Sequence, residues 1–355
     1  MSDTKPLSKL HSRRWRRTAG AAIIGLTVML AGCASTAEPP ASAVSADYSA
    51  VAAAASEALR AHHYDPRALD DPAYRAIEAR VVALAAQAQS REEFISGFNS
   101  IWREGPFSHV RLTEARASAA ATAAQLDQLR VGEGARLTWE GDVAVLTITT
   151  LIGVDTIEQI EAAYAEISSR GASGLIIDLR NNDGGAFAVR PLVGHLIDAP
   201  FDAGAFVSRN WAQTDRTRAP TRAEIEALTP WEGWSLVAFW RDVSEAPVTR
   251  LQFTPMTPRY EGQVFVLIGP HSFSAAELAA DALATSGRAT LIGETTAGRM
   301  LSQQPFDLPD GFQLFLPTAD YYGLRTGRIE GVGVAPDVAV AVDDAMAEAL
   351  SRLGR

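Results

Sequence analysis

Val264-Phe-Val-Leu-Ile-Gly-Pro-His271-Ser-Phe-Ser274-Ala-Ala-Glu277-Leu-Ala-Ala-Asp281 joins a strand, a turn and a helix in one stretch. Val264 to Ile268 is an unbroken apolar run, which fits a strand covered on both faces. The Ala/Leu-rich residues from Ala275 onward read as a helix. A serine at this turn can expose its hydroxyl while its backbone sits at a helix N-terminus. That end carries unpaired N–H groups and a positive dipole, which suit the oxyanion of acyl transfer. Ser274-Ala-Ala-Glu277 is equally a capping box, which needs no chemistry.

The same alternation extends outward. Arg136 to Trp139 and Val143 to Ile148 flank Glu140-Gly141-Asp142, a hairpin signal. A helix (156–169), a buried strand (174–179), a Gly-containing loop and a helix (189–197) follow. Strand (263–269), helix (275–286) and strand (289–292) then repeat the pattern. Such alternation indicates an α/β domain, assigned to residues 116–355. Residues 46–115 read as a small helical domain, with helices at 51–61, 73–86 and 91–102 separated by Pro66 and Asp70-Asp71-Pro72. A further helix or connector covers 115–129. Residues 200–260 hold Trp211, Trp231, Trp234 and Trp240 with several prolines and read as an irregular insertion. It is either a segment overhanging a site or a peripheral subdomain with its own aromatic core.

Arg13, Arg14, Arg16 and Arg17 precede an apolar run from Ala19 to Gly32, which has the length of a signal-peptide core and is short for a membrane span. It ends Leu30-Ala-Gly-Cys33, similar to a bacterial lipobox. Cys33 is the single cysteine of 355 residues, so no intrachain disulfide can form. The expectation is a lipoprotein signal peptide over 1–32, a lipidated Cys33 and a disordered tether over 33–45. That places the chain in a bacterial envelope, on the outer membrane facing the periplasm, with the lipid as its sole membrane contact. Removing residues 1–32 takes away six of the 32 basic and one of the 42 acidic residues, moving the formal charge from −10 to −15. This charge argues against nucleic acid as a partner.

Asp178-Leu-Arg-Asn-Asn-Asp-Gly184-Gly185 joins a strand to a helix. Its glycines can take positive φ and aim backbone N–H groups into a cleft, or simply make a turn. Asp178 and Arg180 read as structural partners. A serine nucleophile needs a base. His62 and His63, at a helix end, read as solvated, and His195 lies in an apolar helical pattern and reads as packed. His271 is too near Ser274 along the chain for an easy approach. His109 sits in a loop beside Ser108, a placement that favours function. Glu330, in Arg328-Ile-Glu-Gly-Val-Gly-Val-Ala-Pro-Asp337, can orient a histidine as the third member of a triad or be a turn residue. No His/Asp/Glu cluster has ligand spacing, so no metal or cofactor is implied.

Taken in order, these segments resemble the tail-specific (C-terminal processing) peptidase family, whose relatives include the tricorn core protease and interphotoreceptor retinoid-binding protein modules. The matching pieces are Ser108-His-Val-Arg-Leu112, Gly141 to Ile148, Gly174 to Gly185, Val264 to Glu277, Ile292-Gly-Glu-Thr-Thr-Ala-Gly298 and Glu330 to Asp337. The resemblance implies a crotonase/protease-like ββα core with a helical N-terminal unit. Processing peptidases place a lysine in the turn after Gly-Glu-x-Thr. Here that turn is Ala297-Gly298-Arg299, and an arginine cannot serve as base. The tricorn-like pattern, carried over by position, implies Ser274 as nucleophile, His109 as base, Glu330 as its orienter and Ser108 as a supporting hydroxyl. The oxyanion hole would use the N–H of Ala275 and that of Gly184 or Gly185. Glu277 and Glu294 match motif positions and are assigned structural roles, and Arg299 is a candidate for a substrate carboxylate. Only residues 110–142 separate His109 from the hairpin, too few for the family's PDZ domain of roughly 90 residues.

The expected activity is that of a serine peptidase cleaving peptides through an acyl-enzyme. The alternatives are an esterase using the same residues and a non-catalytic module binding apolar ligands or peptides.

Overall fold

In the computed structural model the described residues are 47–214 and 218–355. The signal-like run, Cys33 and the tether lie outside them. Among the described residues, no helix is long and apolar enough to cross a membrane.

The chain opens with helices α1 (Ser49–His62), α2 (Pro72–Ala85) and α3 (Arg91–Trp102). Asp71 caps α2 by accepting the Ala73 N–H with Pro72 at the first helical position, and Ser90 caps α3 by accepting the Glu93 N–H. Strand β1 (Arg111–Glu114) and α4 (Ala119–Leu126) lead to the expected hairpin of β2 (Ala135–Glu140) and β3 (Val143–Ile148). Next come α5 (Val154–Arg170), β4 (Gly174–Asp178), β5 (Asn181–Asn182) and α6 (Val189–Gly194). The Trp-rich segment comprises β6 (Phe201–Ser208), α7 (Arg209–Ala212), α8 (Arg222–Glu226), α9 (Leu236–Glu245) and β7 (Val248–Phe253). The fold closes with β8 (Gln263–Ile268), β9 (His271–Ser272), α10 (Ala275–Thr285), β10 (Thr290–Gly293), β11 (Leu301–Leu308) and β12 (Phe312–Gly323). Short β13 (Gly327–Arg328), β14 (Val338–Ala339) and α11 (Ala345–Arg352) follow.

The first sheet has the order β14-β10-β8-β4-β3-β2 and is parallel except for β2. Its period of two divides the apolar runs between two cores. Leu146, Leu175, Ile177, Val264 and Val266 face the helix residues Ile160, Ile167 and Leu283. Val145, Ile176, Phe265 and Leu267 face Ala345 and Ala349 of α11. Coverage on both faces is why these strands read as continuous apolar runs.

The second sheet is antiparallel, β1-β12-β6-β7, with β11 and β13 also on β12. Helices α1–α3 pack their apolar stripe on it, Val51, Phe94 and Phe98 sharing a core with Phe312, Leu314 and Leu316. Residues 200–260 differ from the irregular insertion expected, since β6 and β7 belong to this sheet. Phe201-Asp-Ala-Gly-Ala-Phe-Val-Ser208 alternates poorly because both its faces are covered, Ala203 and Phe206 lying in one core and Ala205 and Val207 in another. Its strand state comes from pairing with β12 on one side and β7 on the other.

Candidate active site

Ser274 ends the turn from β9 and begins α10 with φ 53° and ψ −115°, in the left-handed half of backbone space that a serine rarely adopts. The Ser-x-x-Glu box closes from its glutamate side. Glu277 accepts the Ser274 N–H at 3.0 Å, while the Glu277 N–H goes to the Ser274 carbonyl at 2.9 Å. The Ser274 hydroxyl makes no cap hydrogen bond, so it is left for other partners.

Glu277 is fully buried and collects four donors. Oε2 accepts the N–H of Ser274 and, at 2.8 Å, that of Arg299. Oε1 accepts the Gly298 N–H at 2.7 Å and the Thr296 hydroxyl at 2.6 Å. Burial pushes its pKa up, and these four hydrogen bonds oppose the rise. Both oxygens face donors, so the amide of Glu277→Gln must aim its own N–H groups at one pair of them. The expected cost is about 2–4 kcal/mol of folding stability, read as a lower urea midpoint at unchanged slope; an unchanged midpoint would show that the carboxylate does not hold the turn.

The Arg299–Met300 peptide group joins this turn to the other half of the site. Its carbonyl accepts the Ser274 N–H at 3.1 Å and its N–H donates to Glu330 Oε2 at 2.8 Å. Glu330, buried just beyond β13, also accepts the Ser108 N–H on Oε1 at 2.9 Å and the Ser108 hydroxyl on Oε2 at 3.0 Å. Ser108 Oγ lies 2.5 Å from His109 Nδ1. Glu330 therefore reaches the imidazole through Ser108. The direction follows from proton counting. The hydroxyl has one proton, given to the carboxylate, so its oxygen accepts from Nδ1–H, and Nε2 keeps its lone pair.

His109, with φ 63°, is half-buried and lines the same cavity as Ser274. Desolvation, followed by the charge of Arg299, pushes its pKa down to about 4, so it is neutral near pH 7.

Ala275, Gly184 and Gly185 line the same cavity. Ala275 is the first helical residue of α10, and its N–H has no acceptor among the described residues. Of the two glycines, Gly184 donates to Asn182 Oδ1 at 2.8 Å, whereas the Gly185 N–H has no acceptor among the described residues. Gly184, at φ 81°, leaves no room for a side chain: a Cβ there would lie 2.7 Å from Ser274 Cβ. Gly184→Ala is expected to push Ser274 aside and cut any activity that depends on it at least tenfold, checked by kcat/KM; full activity would mean the turn gives way freely.

The cavity holds about 420 Å³. Phe206, Phe239, Trp240, Leu251 and Phe253 line it, so the Trp-rich segment supplies much of its wall. Arg299, the candidate for a substrate carboxylate, is exposed outside the lining of this cavity and lies over Phe273, with the ring centroid 5.6 Å away. Its backbone role between Glu277, Ser274 and Glu330 has no signature in residue type, and neither has that of Met300.

The other sequence candidates lie apart. His195 is buried, with Nδ1 2.7 Å from the Pro258 carbonyl and its ring stacked on Tyr164. His63, expected to be solvated, is instead fully buried against Phe107, because the chain turns inward after α1, while His62 stays exposed on Phe306. His271 is exposed in β9. Arg180 and Asp178 pair with each other at 2.7 Å, and Glu294 accepts the Val342 N–H. Asp337 accepts the Leu291 N–H and pairs with Arg325. Among the described residues no group of three His, Cys, Asp or Glu is placed to hold a metal ion.

The model of peptidase family S41 matches residues 142–340 of the chain; Ser108 and His109 precede that stretch. The chloroplastic carboxyl-terminal-processing peptidase 3 of Arabidopsis thaliana is 31% identical over 179 residues, which is 50% of this chain and 28% of that protein. The chain spans less than half the length of the relatives it matches in this way. Among solved structures, a lipoprotein from Streptococcus agalactiae superposes with a TM-score of 0.54 at 16% identity, covering 91% of this chain and 99% of its own. The photosystem II D1 C-terminal processing protease superposes with a TM-score of 0.52 at 15% identity, covering 86% and 97%. At these identities the likeness is one of fold.

Proposed function

The chain belongs to peptidase family S41, and on that premise we propose that it is a serine peptidase in which Ser274 attacks the scissile carbonyl with His109 as general base. The observation that carries this reading is the relay from Glu330 through Ser108 to His109 Nδ1, which leaves Nε2 unprotonated in the cavity that Ser274 also lines. The imidazole takes the Ser274 proton as the Oγ–carbon bond forms, and the carbonyl electrons move onto oxygen. The N–H groups of Ala275 and Gly185 receive that oxyanion. The tetrahedral intermediate collapses, the C–N bond breaks, and the imidazolium returns its proton to the leaving amine. Water repeats the cycle on the acyl-enzyme. Glu330 and Ser108 position His109 and stabilise its charged form.

Fluorophosphonate treatment followed by intact-mass measurement tests the reading. One covalent adduct on wild type, absent from Ser274→Ala and His109→Ala, is expected; labelling that persists in Ser274→Ala overturns the assignment of the nucleophile.

The pH profile is a second check. An imidazole whose pKa is lowered stays neutral until the pH falls to that value, so the acid limb of kcat/KM is expected near 4 instead of 6.5. The Arg299 charge disfavours the imidazolium, so Arg299→Gln should move the limb upward. A limb at 6.5 in both proteins would mean that a different group governs the rate.

The sequence around Cys33 supports a lipid-anchored envelope location within the same proposal. Cys33→Ser is expected to release the protein from the membrane fraction and to end its labelling by an alkyne fatty acid.

A further inference from the structure

Arg190, on α6, lines the cavity together with Ser274 and His109. It is half-buried among three aromatic rings, its guanidinium carbon 6.0 Å from the centroid of Phe187, 5.3 Å from Trp231 and 5.0 Å from Trp234. A guanidinium has five N–H donors, yet among the described residues this one makes a single long hydrogen bond, to the Trp231 carbonyl at 3.4 Å. No carboxylate forms an ion pair with it there, the nearest acidic influence being Glu232. Three other half-buried arginines are better satisfied: Arg180 pairs with Asp178 and Arg250 with Asp202, each at 2.7 Å, and Arg288 donates to the carbonyls of Leu196, Tyr260 and Gly262. Aromatic faces stabilise such a cation only in part.

The surroundings carry the same sign. Arg111 also lines the cavity, lies over Phe315 at 4.6 Å, and has no acidic partner among the described residues. Asp183 is the one carboxylate of the lining and is exposed. The other walls are mainly apolar, which strengthens any ion contact made there. A chain of formal charge −10 thus presents unneutralised cations around its candidate nucleophile.

We propose that Arg190 is a specificity-determining residue that receives a carboxylate of the substrate, either an acidic side chain or a free C-terminus, in the cavity beside Ser274. The inference rests on the peptidase reading for the identity of the ligand as a peptide. Trp231, Trp234 and Phe187 surround the guanidinium and hold it in place, while its free N–H groups meet the carboxylate oxygens side by side.

Paired peptides test this by calorimetric binding to Ser274→Ala, which retains the cavity. One set differs only by Glu or Gln at a single position, all with amidated ends. The other differs only by a free or amidated C-terminus. The carboxylate member of one set is expected to bind about tenfold tighter or more, the size of one charge-assisted contact; which set discriminates identifies the source of the carboxylate. Ser274→Ala/Arg190→Gln should lose that discrimination, and Ser274→Ala/Arg190→Glu should invert it. Equal binding within both sets to Ser274→Ala, or an Arg190→Gln effect equal for both members of each pair, overturns the proposal. Fluorophosphonate labelling separates this outcome from failure of the catalytic reading: discrimination without labelling removes the nucleophile and keeps the arginine, and labelling without discrimination does the reverse.

Discussion

Ser274→Ala is expected to lower kcat by roughly four to six orders of magnitude, the scale found when a serine nucleophile is removed from a hydrolase. KM should change little, because the cavity walls do not depend on the hydroxyl. A companion variant isolates the backbone strain. Serine at φ 53° is held there by the Glu277 carboxylate and the Arg299 carbonyl, both of which accept its N–H. Ser274→Gly should be as inactive as Ser274→Ala yet more stable, by roughly 1 kcal/mol, since glycine adopts this conformation without penalty. Chemical denaturation of the two variants measures it. If Ser274→Gly were no more stable than Ser274→Ala, the turn would be carrying no strain. Full peptidase activity in either variant would move the chemistry to another group.

Glu330→Gln should be the second most damaging change, lowering kcat by about two to four orders of magnitude with the fold intact. The reason is specific to the donors around this carboxylate. Oε1 receives the Ser108 N–H, and Oε2 receives the Met300 N–H and the Ser108 hydroxyl. Whichever way a glutamine amide is turned, its NH2 meets a backbone N–H. In the orientation that faces Ser108 Oγ, it donates to that oxygen. The hydroxyl proton then turns toward His109 Nδ1, the imidazole carries its own proton on Nε2, and the base is lost. Nitrogen chemical shifts of the His109 ring report the tautomer directly. Nε2-protonated imidazole in Glu330→Gln, with Nδ1-protonated imidazole in wild type, is the expected result. Unchanged kcat with an unchanged tautomer would mean that Ser108 alone orients the ring. Ser108→Ala supplies the intermediate case, keeping the carboxylate but breaking its path to His109.

Much of this architecture was legible from local pattern. The strands around Ile176 and Val266 are covered on both faces, so their apolar runs stood out. The break at Asp70-Asp71-Pro72 marked the start of α2, where the Asp71 side chain satisfies a free N–H group. The Ser-x-x-Glu turn was legible too, though in an ambiguous form. The same letters specify a capping box and a turn that presents a serine, and here the two coexist: the box closes through the Glu277 carboxylate and the Ser274 carbonyl, with Ser274 held at φ 53°. The second sheet was largely hidden. Its strand from 201 depends on β12 as a neighbour, and a pairing partner more than a hundred residues away leaves no trace in a strand's own period. His63 was misread for a similar reason: its position at a helix end suggests solvent, and its burial is imposed by Phe107 and Tyr64.

The sequence by itself determined the presence of Ser274, His109 and Glu330 as candidates, the α/β alternation that places Ser274 at a strand-to-helix turn, and an arginine in the turn at Arg299. Those are properties of short segments, set by side-chain chemistry and periodicity. Tertiary structure alone decided how the parts meet. Pairing of β1 with β12, Arg111 opposite Phe315, carries His109 into the wall of the cavity. One peptide group, Arg299–Met300, links the Ser274 turn to Glu330 through its carbonyl and its N–H. Backbone donors and acceptors are the same in every residue, so no pattern of side chains announces which of them will be used. Their partners exist only once the two sheets have packed.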